Sequence, residues 1–472
     1  MDIEEFRRAA HELVDWMGDY LRDIEDYPVR AQAVPGEILA QLPSAPPDKS
    51  VSLDKVFDDF KEIIVPGMTH WQHPSFFAYF PANSSPASVL AEMITATLGA
   101  QCMSWETSPA AAELEQCTME WLRQMIGLPS DFEGVIQDSA STATLCAILS
   151  AREQASKWRV NESGLRGEND MVVYGSSECH SSVEKAVKIA GLGRNNFHKV
   201  SVDENFGMDP QALAHYIMVD KASGKTPICV VAALGSTGSS AIDPLLSIAD
   251  ICRRNDLWLH VDAAWAGAAL IDPKYRWMIG GIEQVDSFVF NPHKWLFTNF
   301  DCSAYFVRAP EVLLKTLAIL PEYLKSQGGD EVRNYRDWGV PLGRRFRSLK
   351  LWFVIRSYGV ARLKQMIQTH ITLAQELAAQ IDMEDDFERL APTPLALVCF
   401  RYRPAGVDQK SKLDALNEAL VENINFSGAA YLTHTRLRGA YAIRISIGQT
   451  TTERRHVEDL WKLIKKTART MS

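Results

Sequence analysis

At 472 residues the chain is longer than one hydrophobic core ordinarily supports, so at least two packed units are expected. A composition of 46% hydrophobic and 23% charged residues is that of a soluble globular protein, and a net charge of −10 argues against nucleic acid or an anionic membrane as partner. The eight cysteines (102, 117, 146, 179, 229, 252, 302, 399) show no CxxC spacing and lie mostly among apolar neighbours, which reads as buried reduced thiols in a cytoplasmic protein.

The segment Met1 to Tyr27 is acidic, unlike a signal or transit peptide, and no apolar stretch reaches transmembrane length. Phe6, Ala10, Leu13, Val14, Met17, Leu21 and Ile24 recur at helical spacing, which predicts an amphipathic helix that must bury its stripe on this chain or on a second copy. A proline-rich strap follows from Pro28 to Pro47, then a short helix around Val51 to Ile64 and an aromatic segment from Trp71 to Pro81. His70 and His73 are three apart, but prolines and aromatics surround them and no further ligand is near, so a zinc site is not expected.

From there to about residue 340, short apolar runs alternate with helical stretches. Candidate strands are Gly134 to Ile136, Met171 to Tyr174, Ile228 to Ala232, Leu257 to Val261 and Phe288 to Phe290. Such alternation implies βαβ units and a mainly parallel sheet, with ligands outside the carboxyl ends of its strands. Beyond about residue 345 a long helical stretch leads to Leu397 to Phe400 and to the alternating run Tyr441 to Ile447, which predicts a smaller α+β domain.

The strand ends carry the chemistry. Asp262 closes one apolar run, and Lys294, in Asn291-Pro292-His293-Lys294, follows another. A lysine amine can hold the aldehyde of pyridoxal 5'-phosphate as a Schiff base, while a carboxylate keeps the pyridinium nitrogen protonated so that the ring accepts electrons. Gln137-Asp138-Ser139-Ala140-Ser141-Thr142 follows the first strand and opens a helix at about Thr142, and its amides and hydroxyls suit phosphate. An ordinary serine N-cap is the alternative.

His180, just past the second strand, falls at the same edge and can stack on the ring and touch a substrate carboxylate; a structural histidine is the alternative. Ser236 and Thr237 follow the Ile228 strand and either bond the cofactor or form a turn. Arg344, Arg345, Arg347 and Lys350 read as a salt-bridged helix face in preference to an anion site.

These residues resemble the aromatic L-amino acid decarboxylases, a branch of the group II pyridoxal-phosphate-dependent decarboxylases, over nearly the whole chain. The resemblance rests on His70-Trp71, Phe76 to Pro81, Trp105 with Ser108-Pro109-Ala110, Leu257 to Gly267 (LWLHVDAAWAG), Asn291 to Trp295, and Trp338 to Phe353. It implies an α/β fold of the aspartate aminotransferase type (fold type I), with a mainly parallel seven-stranded sheet in the large domain. It also implies a homodimer with the active site at the subunit interface and the N-terminal helices wrapped over the partner. The expected division is 1–82 for the N-terminal segment, 83–345 for the cofactor domain and 346–472 for the small C-terminal domain.

By motif position Lys294 is the Schiff-base lysine and Asp262 the pyridinium partner, with Ala264 under the ring. Ser139, Ala140, Ser141, Asn291 and His293 fall in the cofactor-binding segments, Thr237 in the cofactor's hydrogen-bond network, and His180 on the substrate side. Tyr323, followed by Gly328-Gly329, matches the tyrosine of a mobile catalytic loop and is the expected proton donor. The side-chain pocket is expected from Trp71, Tyr79, Phe80, Pro81, Ala82, Met103, His180 and Gly343. Ala82 and Met103 depart from animal members, which carry threonine and, from the neighbouring subunit, an aromatic.

The implied reaction is decarboxylation to an arylalkylamine and carbon dioxide. Gly343 matches members acting on indolic or catecholic substrates, so tryptophan is favoured over phenylalanine, tyrosine or DOPA. An aldehyde synthase of the same family commonly lacks the loop tyrosine or the stacking histidine; both stand here as Tyr323 and His180. The aromatic stretch argues against glutamate as substrate, and retention of Lys294, Asp262, His180 and Tyr323 argues against a non-catalytic regulatory subunit.

Overall fold

The computed structural model describes residues 2–319 and 332–471. Two compact units divide the chain: Ala82–Ala378 with Leu390–Cys399, and a unit gathering Met1–Pro81, Ala379–Arg389 and Phe400–Ser472.

The larger unit is built on seven strands: β1 (Glu133–Gln137), β2 (Met171–Ser176), β3 (Phe197–Val200), β4 (Thr226–Ala233), β5 (Trp258–Asp262), β6 (Ser287–Phe290) and β7 (Ser303–Val307). Their order is β1-β7-β6-β5-β4-β2-β3. The neighbours from β6 to β3 pair in parallel, whereas β7 runs antiparallel to both β6 and β1, so β1 again points the same way as the rest. Every residue of β2, β5, β6 and β7 is buried, as expected of strands covered on both faces. Six strands therefore bring their carboxyl ends to one edge, the place where open α/β sheets hold ligands.

The predicted strands all form, with the Leu257 run displaced by one residue so that Asp262 is the last residue of β5. β3 and β7 are additions. The helix after β1 is Ala140–Ser156, two residues earlier than expected, because the Ser139 hydroxyl accepts the Thr142 amide at 3.2 Å and so makes Ser139 the N-cap.

In the other unit, helix Ile3–Arg22 is capped by Asp2, whose carboxylate accepts the amides of Glu4 and Glu5 at 2.9 and 2.8 Å. None of its residues is buried; Phe6 is 52% and Val14 42% exposed. A groove of about 480 Å³, lined by Ala9, Leu13, Trp16, Met17, Val56 and Phe57 among others, runs beside it. The four-stranded sheet takes the order β10-β11-β9-β8, from β8 (Phe387–Arg389), β9 (Leu397–Tyr402), β10 (Thr433–Leu437) and β11 (Ala440–Ser446). The long predicted helix spans Arg347–Asp382, belongs to the larger unit up to Ala378, and kinks at Gly359, whose φ of 72° is left-handed.

Candidate active site

Asp262 and Lys294 leave neighbouring strands. The β5 to β6 register sets Asp262 opposite Val289, and two backbone bonds continue the pairing into the loops, Ala263 N–H to Val289 O and Asn291 N–H to Ala264 O, while Lys294 N–H closes its own turn on Asn291 O, each 2.9 Å. Asp262 is 9% exposed and accepts the Ala264 amide at 3.0 Å. Lys294 lies in the short turn Pro292–Trp295, which Asn291 precedes as N-cap. Burial lowers the Lys294 amine below the ordinary lysine range, and the Asp262 charge partly offsets that. A lysine shifted in this direction has its nucleophilic neutral form more accessible.

His180 is placed at the same edge, just past β2. Its Nδ1 accepts the Ser182 amide at 3.2 Å and lies 2.8 Å from the Ser182 hydroxyl, which assigns the proton of the neutral ring to Nε2. Partial burial lowers its pKa, Asp262 pulls it up and Lys294 pushes it down, so both charges reach the ring. Cys179 beside it is pushed up to about 12 by burial, with Asp243 and Asp262 adding to the effect, and is inert as a thiolate.

The first-turn amides of Ala140 and Ser141 have no protein acceptor among the described residues, since Ser139 takes those of Thr142 and Ala143. Ser141 is exposed and Ala140 buried. Small side chains and open amides at a helix start, on the edge that carries a half-buried lysine and a buried carboxylate, fit a phosphate-bearing aldehyde cofactor. Asn291 keeps its carboxamide oxygen on the Ser303 hydroxyl at 2.6 Å. Thr237 is exposed at the edge, whereas Ser236 is 5% exposed and spends its hydroxyl on the turn, 2.9 Å from Ser239 Oγ and accepting the Ala241 amide at 3.2 Å.

His293 faces inward. Its Nδ1 accepts the Cys302 amide at 2.9 Å, its ring lies 4.7 Å from that of Phe300, and burial lowers it to about 3. Asn83, which the sequence reading did not single out, grips the lysine turn: its amide donates to His293 O at 3.0 Å and its side chain to Lys294 O. Ala82 immediately precedes it. Its one mark in the sequence is an asparagine two residues past the aromatic segment.

Met103 and Gly343 lie on one wall of the larger unit. Cys102 N–H donates to Arg344 O at 2.9 Å, Arg344 N–H to Gln101 Oε1 at 2.7 Å, and Arg336 N–H to Met103 O at 2.8 Å. Gly343, with Gln137, Asp138, Tyr335, Arg344 and Arg347, lines a pocket at the end of β1. The basic cluster is salt-bridged: Arg344 to Glu115 at 2.7 Å, Arg347 to Asp301 at 2.9 Å, and Arg345 and Lys350 to Glu92 at 2.5 and 2.7 Å.

Trp71, Tyr79, Phe80 and Pro81 belong to the other unit. There the rings of Trp71, Phe76 and Tyr79 form a cluster, with Trp71 4.5 Å from Phe76 and 5.8 Å from Tyr79, and Phe80 lies under the Arg444 guanidinium at 5.6 Å. Tyr323, Gly328 and Gly329 lie outside the described residues. No group of metal-ligating residues is present among the described ones; His70 Nδ1 is 2.8 Å from the Tyr20 hydroxyl and His73 Nδ1 accepts the Ser75 amide. No described helix is long and apolar enough to cross a membrane.

A doubly wound sheet with a lysine, a carboxylate and a helix start with open amides at one edge is that of a fold type I pyridoxal-phosphate enzyme. The pyridoxal-dependent decarboxylase conserved domain matches residues 35–403. The chain is 42% identical to tryptophan decarboxylase 2 of Oryza sativa subsp. japonica, over 98% of this chain and 95% of that protein. It is likewise 42% identical to phenylacetaldehyde synthase of Arabidopsis thaliana, over 99% and 96%. The crystal structure of Oryza sativa TDC with PLP and tryptamine superposes with a TM-score of 0.97 at 36% identity, covering 100% of this chain and 99% of that one. The chain thus belongs to the pyridoxal-dependent decarboxylases, and pyridoxal phosphate is its cofactor.

Proposed function

We propose that this protein decarboxylates an aromatic L-amino acid, tryptophan foremost, to the arylalkylamine and carbon dioxide. The observation that carries the reading is the joint position of Asp262, Lys294 and His180 at one edge of the sheet, each charge acting on its neighbours. The similarity to tryptophan decarboxylase 2 supports the substrate class.

Lys294 is the amine that would hold the cofactor's aldehyde carbon. Ser139, Ala140, Ser141 and Asn291 hold the phosphate, His293 shapes the lysine turn, Ala264 backs the ring, and Thr237 joins the polar rim. Bound pyridoxal phosphate supplies the sink for the electron pair released when the bond from Cα to the carboxylate breaks. Asp262 keeps the pyridine nitrogen protonated, an effect that grows when water is excluded. His180 covers the ring and offers its Nε2 proton to the substrate carboxylate. Tyr323 returns a proton to Cα. The side chain is taken by Trp71, Tyr79, Phe80, Pro81, Ala82, Met103 and Gly343.

The same reading places the protein in the cytoplasm as a homodimer with the site at the subunit interface. The exposed stripe of helix Ile3–Arg22 supports it, since each large apolar side chain covered by a partner contributes roughly 1.5–3 kcal/mol. Light scattering across a dilution series should give twice the chain mass; a monomer at all concentrations contradicts it.

Steady-state kcat/KM for L-tryptophan, L-phenylalanine, L-tyrosine, L-DOPA and L-glutamate tests the substrate class. Highest values on an indole or catechol are expected; glutamate as best substrate contradicts it. The resemblance to phenylacetaldehyde synthase keeps one second reading, oxidation of the same substrates to aldehyde.

A further inference from the structure

The loops that carry Asp262 and Lys294 meet in a pair of stacked indoles. Trp265 follows Asp262 by three residues and Trp295 follows Lys294 directly. Their ring centroids are 4.2 Å apart with planes 12° from parallel, and they are 1% and 0% exposed. The Trp295 Nε1–H donates to His370 Nδ1 at 3.0 Å, and His370, 3% exposed, rides on the helix Arg347–Asp382. Two residues earlier on the same helix, Gln368 donates to Asp272 at 2.6 Å, in the segment that continues from Trp265. Phe297, beyond Trp295, sets its ring edge-on to His370 at 5.9 Å.

Burial alone does not demand this arrangement, because two large aliphatic side chains would fill the same space. An indole N–H in a dry interior carries a desolvation cost that a well-aimed acceptor offsets, and that acceptor then fixes the plane of the ring. The backbone bonds Ala263 N–H to Val289 O and Asn291 N–H to Ala264 O hold the two loops where they leave the sheet and stop short of the residues that flank the Lys294 side chain on its C-terminal side. A flat stack one residue past the lysine fixes the turn there, and the bond to His370 ties it to the helix Arg347–Asp382.

Taking Lys294 and Asp262 in the roles assigned above, we infer that Trp265, Trp295 and His370 form a positioning clamp that sets the Lys294 amine relative to the Asp262 carboxylate. None of the three is a catalytic residue; they act through Lys294. Catalytic geometry tolerates displacements of only about 0.5 Å, so a small rotation of the stack reaches the chemistry.

The test uses the full-length protein loaded with pyridoxal phosphate and four variants: His370→Leu, which removes the acceptor; His370→Asn, whose Oδ1 replaces Nδ1; Trp265→Leu, which removes the stack; and Trp295→Phe, which keeps a ring without the N–H. Read together are the visible absorption band of bound cofactor, its Kd, kcat and KM separately, and the melting temperature. His370→Leu and Trp265→Leu should shift the band, weaken the cofactor about tenfold and lower kcat about tenfold to a hundredfold with KM little changed. His370→Asn should recover most of the loss, with Trp295→Phe intermediate.

Wild-type band, Kd and kcat in folded His370→Leu and Trp265→Leu overturn the clamp, as does a His370→Asn no better than His370→Leu. Should those leucine variants not fold, Trp295→Phe decides by the same three readouts. Band and Kd need no turnover, so a yellow wild type that makes no amine refutes the decarboxylase reading and leaves the clamp standing.

Discussion

The amide of Asn291 donates to the carbonyl of Ala264 at 2.9 Å, so the turn that presents Lys294 hangs from the loop that leaves Asp262. The residues proposed to attach the cofactor and to protonate its ring thereby share one frame at the ends of β5 and β6. The consequences follow residue by residue.

Asp262→Asn keeps an acceptor for the Ala264 amide but removes the charge proposed to face the ring nitrogen. The purified variant should still turn yellow with cofactor, while kcat falls by about a hundredfold or more. Undiminished turnover in Asp262→Asn would show that this carboxylate does not sustain the electron sink.

Tyr323→Phe removes the proposed proton donor. Amine formation should drop by about a hundredfold, with aldehyde and hydrogen peroxide appearing in its place. A variant with normal amine yield would move the donor elsewhere, His180 first.

Asp243 holds two buried amides, Met208 N–H and Ala233 N–H, each at 2.7 Å, at the end of β4 opposite Asp262. Asp243→Ala strands both donors and should cost about 2–5 kcal/mol in chemical denaturation. A loss below about 1 kcal/mol would mean that the amides find other acceptors.

Gly267 packs so closely on Phe290 that an added Cβ would lie 2.4 Å from the phenylalanine Cβ. Gly267→Ala should therefore displace the end of β6 just ahead of Lys294, at a cost of about 1–3 kcal/mol and with weaker cofactor binding. Unchanged melting would show that Phe290 can yield.

His260 is wholly buried, with Nε2 3.3 Å from Thr144 Oγ1 and Nδ1 2.9 Å from Ser287 Oγ, and burial lowers it to about 4. An unfolded histidine titrates near pH ~6.5, so between these values the unfolded chain binds the extra proton. Its contribution is complete above pH ~6.5 and is lost as the pH falls toward 4, roughly 3 kcal/mol in all. Unfolding curves of wild type and His260→Gln between pH 7 and 4 should diverge most at the upper end; parallel curves would contradict the assignment.

Much of this frame is legible in the sequence, because strands buried on both faces are continuous apolar runs and their ends mark one edge. Asp262, Lys294 and His180 are found that way. β3 escapes because His198 and Lys199 interrupt its apolar pattern, and β7 because its place between β1 and β6 is a pairing of distant segments with no periodic signature. The partners of Arg344 and Arg347 are equally hidden: Glu115 is 229 residues from Arg344 and Asp301 is 46 from Arg347. Asn83 and the Trp265 and Trp295 stack are contacts of tertiary structure, and residue type alone gives them no mark.

Product analysis on L-tryptophan tests the central claim most directly. Purified protein loaded with pyridoxal phosphate should release carbon dioxide and tryptamine in equal amounts without hydrogen peroxide. Indole acetaldehyde with peroxide and ammonia, or no product from any aromatic L-amino acid, would contradict it.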